Sequence, residues 1–191
     1  MKLLFSLAAV IFLATGCSTA YKIPEQSLRD GPYPTSSKIK PDNILIKKPY
    51  SGIESIPFVV TKISSGYKAQ EQTAFLKHSL NDLGISEVLT EDELVAKIFA
   101  EGLDEDVSSA SDMLALKKLS DYLGNFLVIE WTTDFLGNSN FKTEFIVTDP
   151  TVPERILEIR EGDVLWVNFD TEFTYPIINL LREVLLGDVE P

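Results

Sequence analysis

Hydrophobic positions divide the chain into four zones. From Leu3 to Leu13 they are nearly continuous, with only Ser6 interrupting. From Ser18 to about Pro49 they follow no period, while Pro24, Pro32, Pro34, Pro41 and Pro49 recur with Gly31 and a Thr35-Ser36-Ser37 cluster. Proline removes a backbone donor and keeps a chain extended, so 18–40 is expected to be a spacer. Tyr21 and Tyr33 read as exposed linker residues unless they pack on the domain or meet a partner. Ile44-Leu45-Ile46 reads as an edge strand or a clamp on the tether. The folded domain is expected to begin at Ile53, giving 1–16, 17–52 and 53–191 as leader, tether and single domain.

In the third zone, strands alternate with helical periods. Phe58 to Ile63 is short, β-branched and nearly all apolar, as in a central strand covered on both faces. Ala69, Thr73, Leu76, Leu80 and Leu83 form one stripe of a helix from Lys68 to Leu83, stopped by Gly84. Ile85 to Leu89 is a short strand. Thr90 and Glu93 make a capping box for a helix whose buried face is Leu94, Val95, Ile98 and Phe99, ended by Gly102. Ser109 with Asp112 opens a helix to about Leu123, its face formed by Ala115, Leu116, Leu119, Tyr122 and Leu123.

In the fourth zone the period becomes two. Phe126 to Thr133 and Phe141 to Thr148 are strands, with Asn138-Ser139-Asn140 as a hairpin tip and Phe141, Thr143, Phe145 and Val147 on one side. Arg155–Arg160 and Val164–Asp170 flank Glu161-Gly162-Asp163 as a second hairpin. Phe173 and Tyr175 form a staple before a helix begun at Pro176, striped by Ile177, Leu180, Leu181, Val184 and Leu185 and ended by Gly187. The order β-α-β-α-α-β-β-β-β-α predicts an α/β (α+β) domain, a mixed sheet of four to six strands packed by about four helices.

Charge narrows the partners. The 191 residues carry 17 basic and 29 acidic side chains, a net of −12, which disfavours nucleic acid. One cysteine and one histidine exclude a disulfide framework and a Cys/His zinc site within one chain.

Lys2, the apolar run and the small residues Ala14, Thr15 and Gly16 before Cys17 have the layout of a secretory signal, and the run is too short for a confident membrane span. Leu13-Ala14-Thr15-Gly16-Cys17 resembles the lipobox of bacterial lipoproteins, with Ala14 where that family prefers leucine. The resemblance implies cleavage before Cys17, a diacylglycerol on its thiol and an N-acyl chain on its amino group. No other cofactor is expected. Ser18 in place of Asp implies outer-membrane sorting, with the domain facing the periplasm. Losing residues 1–16 takes the charge to −13, so bilayer contact is expected to come from the lipid.

The element order also resembles small envelope domains: the N-terminal domain of the Tol-system periplasmic protein, and the lipoproteins of the curli-secretion and penicillin-binding-protein-activator groups. Their hairpin text is matched by Gly162-Asp163-Val164-Leu165-Trp166. The resemblance implies an assembly, secretion or regulatory partner rather than an enzyme, by analogy of fold.

Candidate chemistry is sparse. No phosphate loop, His-Glu-x-x-His or Gly-x-Ser-x-Gly occurs. His78 lies off the apolar stripe of its helix. Glu130, Asp134, Glu144 and Asp170 are acids at or near strand ends, of the type that cleaves glycosidic bonds when paired. Glu87, Glu91, Asp92, Glu93, Glu101, Asp104, Glu105 and Asp106 are eight acids against one base, Lys97. They form a solvated face or a docking surface for a basic partner, and lack the ordered ligand pattern of a calcium loop. Trp131 and Trp166 fall in predicted strands, where packing is their ordinary role; exposed together they would stack a glycan. The expected function is a membrane-anchored, non-enzymatic adaptor or assembly factor for another envelope protein, with a glycan- or small-ligand-binding module as the alternative.

Overall fold

A computed structural model describes residues 21–65, 68–104, 112–137, 140–165 and 170–188. The apolar runs become strands β1 (Ile44–Lys47), β2 (Phe58–Ser65), β3 (Val88–Thr90), β4 (Phe126–Gly137), β5 (Asn140–Asp149) and β6 (Glu154–Leu165). They form one mixed sheet in the order β1-β6-β5-β4-β2-β3. The helices are α1 (Ala69–Asp82), α2 (Glu91–Ala100), α3 (Met113–Leu123) and α4 (Tyr175–Leu186). This is the mixed-sheet α+β class that the element order predicts.

β2 pairs in parallel with both β3 and β4, whereas β4, β5, β6 and β1 pair antiparallel. The crossover from β2 through α1 leads to one side of β2. The crossover from β3 through α2 and α3 returns past it to β4. Right-handed crossovers in opposite directions place their helices on opposite faces. Val59, Leu127, Ile129, Trp131, Phe145, Val147, Leu157 and Ile159 accordingly point to α1 and α4, while Phe58, Val60, Phe126 and Val128 meet α2 and α3.

The proline-rich stretch departs from its reading as a spacer. Tyr21, Leu28, Tyr33 and Ile39 are buried in the main core. Proline prevents this strap from pairing as a strand, but side chains satisfy its backbone instead. Asn179 accepts from Tyr33 N–H at 2.7 Å and donates to Tyr33 C=O at 3.0 Å. Arg182 donates to the Leu28 carbonyl at 2.8 Å, Asp82 accepts from the Leu28 N–H, and Tyr175 Oη donates to the Lys22 carbonyl at 2.8 Å. β1 then closes the sheet edge.

The expected hairpin at Glu161-Gly162-Asp163 is also corrected. β6 runs through it, because Thr143 faces Glu161 and Phe141 faces Val164, leaving one extra residue on β6. The glycine serves a β-bulge rather than a chain reversal. Asp170 lies in a π-helical turn, Asp170–Thr174, ahead of α4. The cap of α3 is Asp112, whose side chain accepts from Leu114 N–H at 3.3 Å; Ser109 lies outside the described residues.

Candidate functional site

Helix α2 brings most of the acidic run into view. Its start is the predicted capping box: Glu93 N–H donates to Thr90 Oγ1 at 3.2 Å and Thr90 N–H donates to Glu93 Oε2 at 2.6 Å. The Thr90 backbone bond, then the Lys77 ammonium, hold the Glu93 carboxyl below its usual range. Glu91, Asp92 and Glu93 together complement the positive end of the helix dipole.

Three of these acids are matched by lysines: Glu93 to Lys77 at 3.0 Å, Glu87 to Lys97 at 3.1 Å and Glu91 to Lys62 at 4.0 Å. Asp92, Glu101 and Asp104 are exposed and form no ion pair among the described residues. Glu105 and Asp106 lie outside the described residues, as do Cys17 and Trp166.

Only half of the apolar face expected for α2 is buried. Leu94 and Ile98 pack on Phe58 and Val60, whereas Val95 is 38% and Phe99 63% exposed. Residues 94 and 98 already fill the contact with a flat sheet, and 95 and 99 sit about 100° round the helix. Asp92, Val95 and Phe99, at spacings of three and four, form one outward strip. The pair was visible in the sequence as an apolar band wider than one seam. Tyr122 of α3 is likewise exposed rather than buried.

A crevice of about 410 Å³ lies at the carboxyl ends of β2 and β3, lined by Thr61, Lys62, Ser64, Thr73, Thr90 and Glu91 among others. Open α/β sheets bind ligands at such reversals of strand order. Its threonine hydroxyls are already engaged, Thr61 to the Leu89 carbonyl at 3.1 Å, Thr73 to the Ala69 carbonyl at 2.8 Å and Thr90 in the cap.

Of the four acids near strand ends, the fold brings two together. Glu130 and Glu144 line a shallow groove on the sheet face left open beyond α2 and α3. Glu144 meets Arg160 at 2.7 Å and Glu130 lies 3.8 Å from Lys62, so each faces a cation rather than the apolar pocket that suits a proton-donating acid. Asp134 is exposed towards the β4–β5 tip, and Asp170 belongs to the turn before α4. His78 is exposed on α1.

Trp131 is fully buried. Its indole N–H donates to Thr143 Oγ1 at 3.1 Å and its ring lies edge-on to Phe145 and Tyr21 at 5.2 and 6.1 Å. It is a core residue, the ordinary packing role of a strand tryptophan, and the alternative of a ligand platform falls away for it. Among the described residues no cluster of three or more His, Cys, Asp or Glu is placed to hold a metal ion.

No family model and no curated protein matches the chain. Among solved structures it is similar to the LpoB C-terminal domain from Escherichia coli, at 14% identity and a TM-score of 0.39, over 60% of this chain and 87% of that one. A selenomethionine form of the LpoB C-terminal domain from Salmonella enterica aligns at 8% identity and a TM-score of 0.37, over 58% of this chain and 84% of that one. Likenesses this distant carry no argument about what the chain does.

Proposed function

We propose that the chain is a lipid-anchored, non-enzymatic adaptor on the periplasmic face of the outer membrane, which binds another envelope protein through the outward side of α2. The carrying observation is the exposed Val95–Phe99 pair framed by Asp92 and Glu101. An exposed apolar patch with a charged rim is the surface form of a protein contact. The rim selects a partner that is basic around an apolar centre. The lipobox supplies the anchor, and anchoring raises the domain's effective concentration near partners in the same envelope. No helix of the described residues is long and apolar enough to cross a membrane.

The test is crosslinking in intact cells with the wild type, V95S/F99S, D92N/E101Q/D104N and C17S, followed by mass spectrometry. One envelope protein should be recovered with the wild type, lost with V95S/F99S and weakened by the charge variant. V95S/F99S should fold normally, within about 0.5 kcal/mol of wild type, because surface substitutions away from packing features are near neutral. Recovery of the same partner by every α2 variant would overturn the surface assignment.

A further inference from the structure

The geometry points to a second membrane contact: the tip of the β4–β5 hairpin, through Phe135 and Leu136, dips into the lipid surface beside the anchor and sets the domain's orientation. This rests on acylation at Cys17, as in the proposed function, and adds the apolar docking site that meets the bilayer.

Phe135 and Leu136 are 58% and 57% exposed, and Phe135 is propped by the Phe141 ring at 5.3 Å. They stand at the end of the sheet where β4, β5 and β6 run beyond β2, β6 reaching level with the hairpin at Leu165. β2 ends level with Thr133, and Thr90, where α2 begins, is level with Ile129. At ~3.3 Å per residue, Gly137 lies ~13 Å beyond the end of β2 and ~26 Å beyond the start of α2. The acids of α2 are thus further from the tip plane than the screening length of ~8–10 Å. The hairpin end is neutral, with one acid and one base from Asp134 to Lys142 facing each other across the strands, while the neighbouring end of β6 carries Glu161 and Asp163 in register with Phe141–Thr143.

The described part of the strap runs back towards the same side. Leu28 is tied to Asp82 and Arg182 at the carboxyl ends of α1 and α4, away from the hairpin. Seven residues earlier, Tyr21 sits against Phe75 and Trp131, each at 6.1 Å, and Lys22 meets Tyr175 at the start of α4. Followed backwards, the strap therefore climbs towards the hairpin. Cys17 is four residues before Tyr21, a reach of at most ~14 Å. Leu136 is five residues beyond Trp131 on β4, or ~17 Å. At full extension of those four residues, a bilayer that holds the Cys17 acyl chains comes within range of the tip. Aromatic and aliphatic side chains without net charge are the residues that enter the interface, whereas an acylated chain of net −13 would otherwise be held off an anionic surface.

Acylation consumes the chain's only thiol, so L136C in the full acylated protein offers a single reactive cysteine. It would be labelled with an environment-sensitive fluorophore and reconstituted in phosphatidylcholine–phosphatidylethanolamine vesicles carrying a shallow nitroxide lipid. V152C, exposed on the β5–β6 turn at the opposite end of the sheet, is the reference. The label at 136 should shift to the blue and be quenched, the label at 152 should stay in water, and F135S should reduce the quenching at 136. Vesicle flotation reports the anchor separately. Flotation with an unquenched 136 label overturns the hairpin contact and leaves the anchor reading standing; it would also reassign the exposed tip to a protein partner. Failure to float, with two thiols labelled, overturns both.

Discussion

Asn179 shows how a single side chain can hold an irregular segment in place. Its amide grips both backbone groups of Tyr33, doing for the strap what a ladder does for a strand. N179A should lower stability by about 1–3 kcal/mol, the net worth of two hydrogen bonds left without partners, and should expose residues 21–40 to limited proteolysis. Urea midpoints and cleavage mapping check this together. Tyr175 gives a titration test. Burial, then the Asp170 charge, raises its pKa to about 12 from 10.0. Burial similarly raises Tyr33 and Tyr50. The fold favours the protonated phenols, so their contribution is complete below pH 10 and disappears as pH rises towards 12. Thermal melts should fall steeply over that window, and Y175F should fall less steeply there while losing the bond to Lys22.

Helix α2 carries both a structural device and an exposed face. T90A removes the cap and should destabilise the protein by about 1 kcal/mol in a chemical melt. Glu93 is held on the acidic side of its usual 4.5, so its support of the helix is present above that pH and is lost as pH falls through its lower folded value. Melting temperature should therefore fall as pH drops below 4.5, and T90A, which lacks the cap, should show less of that fall. Beyond α2, sequence patterns located most elements because a period of two or 3.6 is set by backbone geometry. They failed at Glu161-Gly162-Asp163, where turn chemistry and bulge chemistry use the same residues and only the partner strand decides between them. They failed again at Val95, Phe99 and Tyr122, since periodicity gives the direction of a helical face but not the width of surface waiting to cover it.

The whole molecule has an upper and a lower end. Traced back from Leu28, the strap runs towards the β4–β5 end of the sheet as far as Tyr21; Phe99, near the carboxyl end of α2, lies towards the other end. The strap is also structural. A chain beginning at Ile53, the boundary expected from composition, loses Tyr21, Leu28, Tyr33 and Ile39 from the main core. At about 1.5–3 kcal/mol for each large buried side chain, that loss rivals the 5–15 kcal/mol of a typical domain. Such a truncation should show no cooperative melt by circular dichroism, while a chain beginning at Ser18 should melt like the full-length mature protein. Equal melting of both would refute the strap's role.

By itself the sequence determined the strand and helix periods, the capping box at Thr90 and the mixed α+β architecture. Each of these depends on neighbours within a few residues, and local sterics and hydrogen bonding decide them. Tertiary structure alone decided the rest. Trp131 turned inward because Thr143 was there to accept its N–H, and the proline-rich stretch became core because Asn179, Arg182 and Asp82 satisfied its backbone. Phe99 stayed outside because the sheet had room for only one seam of α2. Burial is a property of two surfaces meeting, and one chain segment read alone shows only one of them.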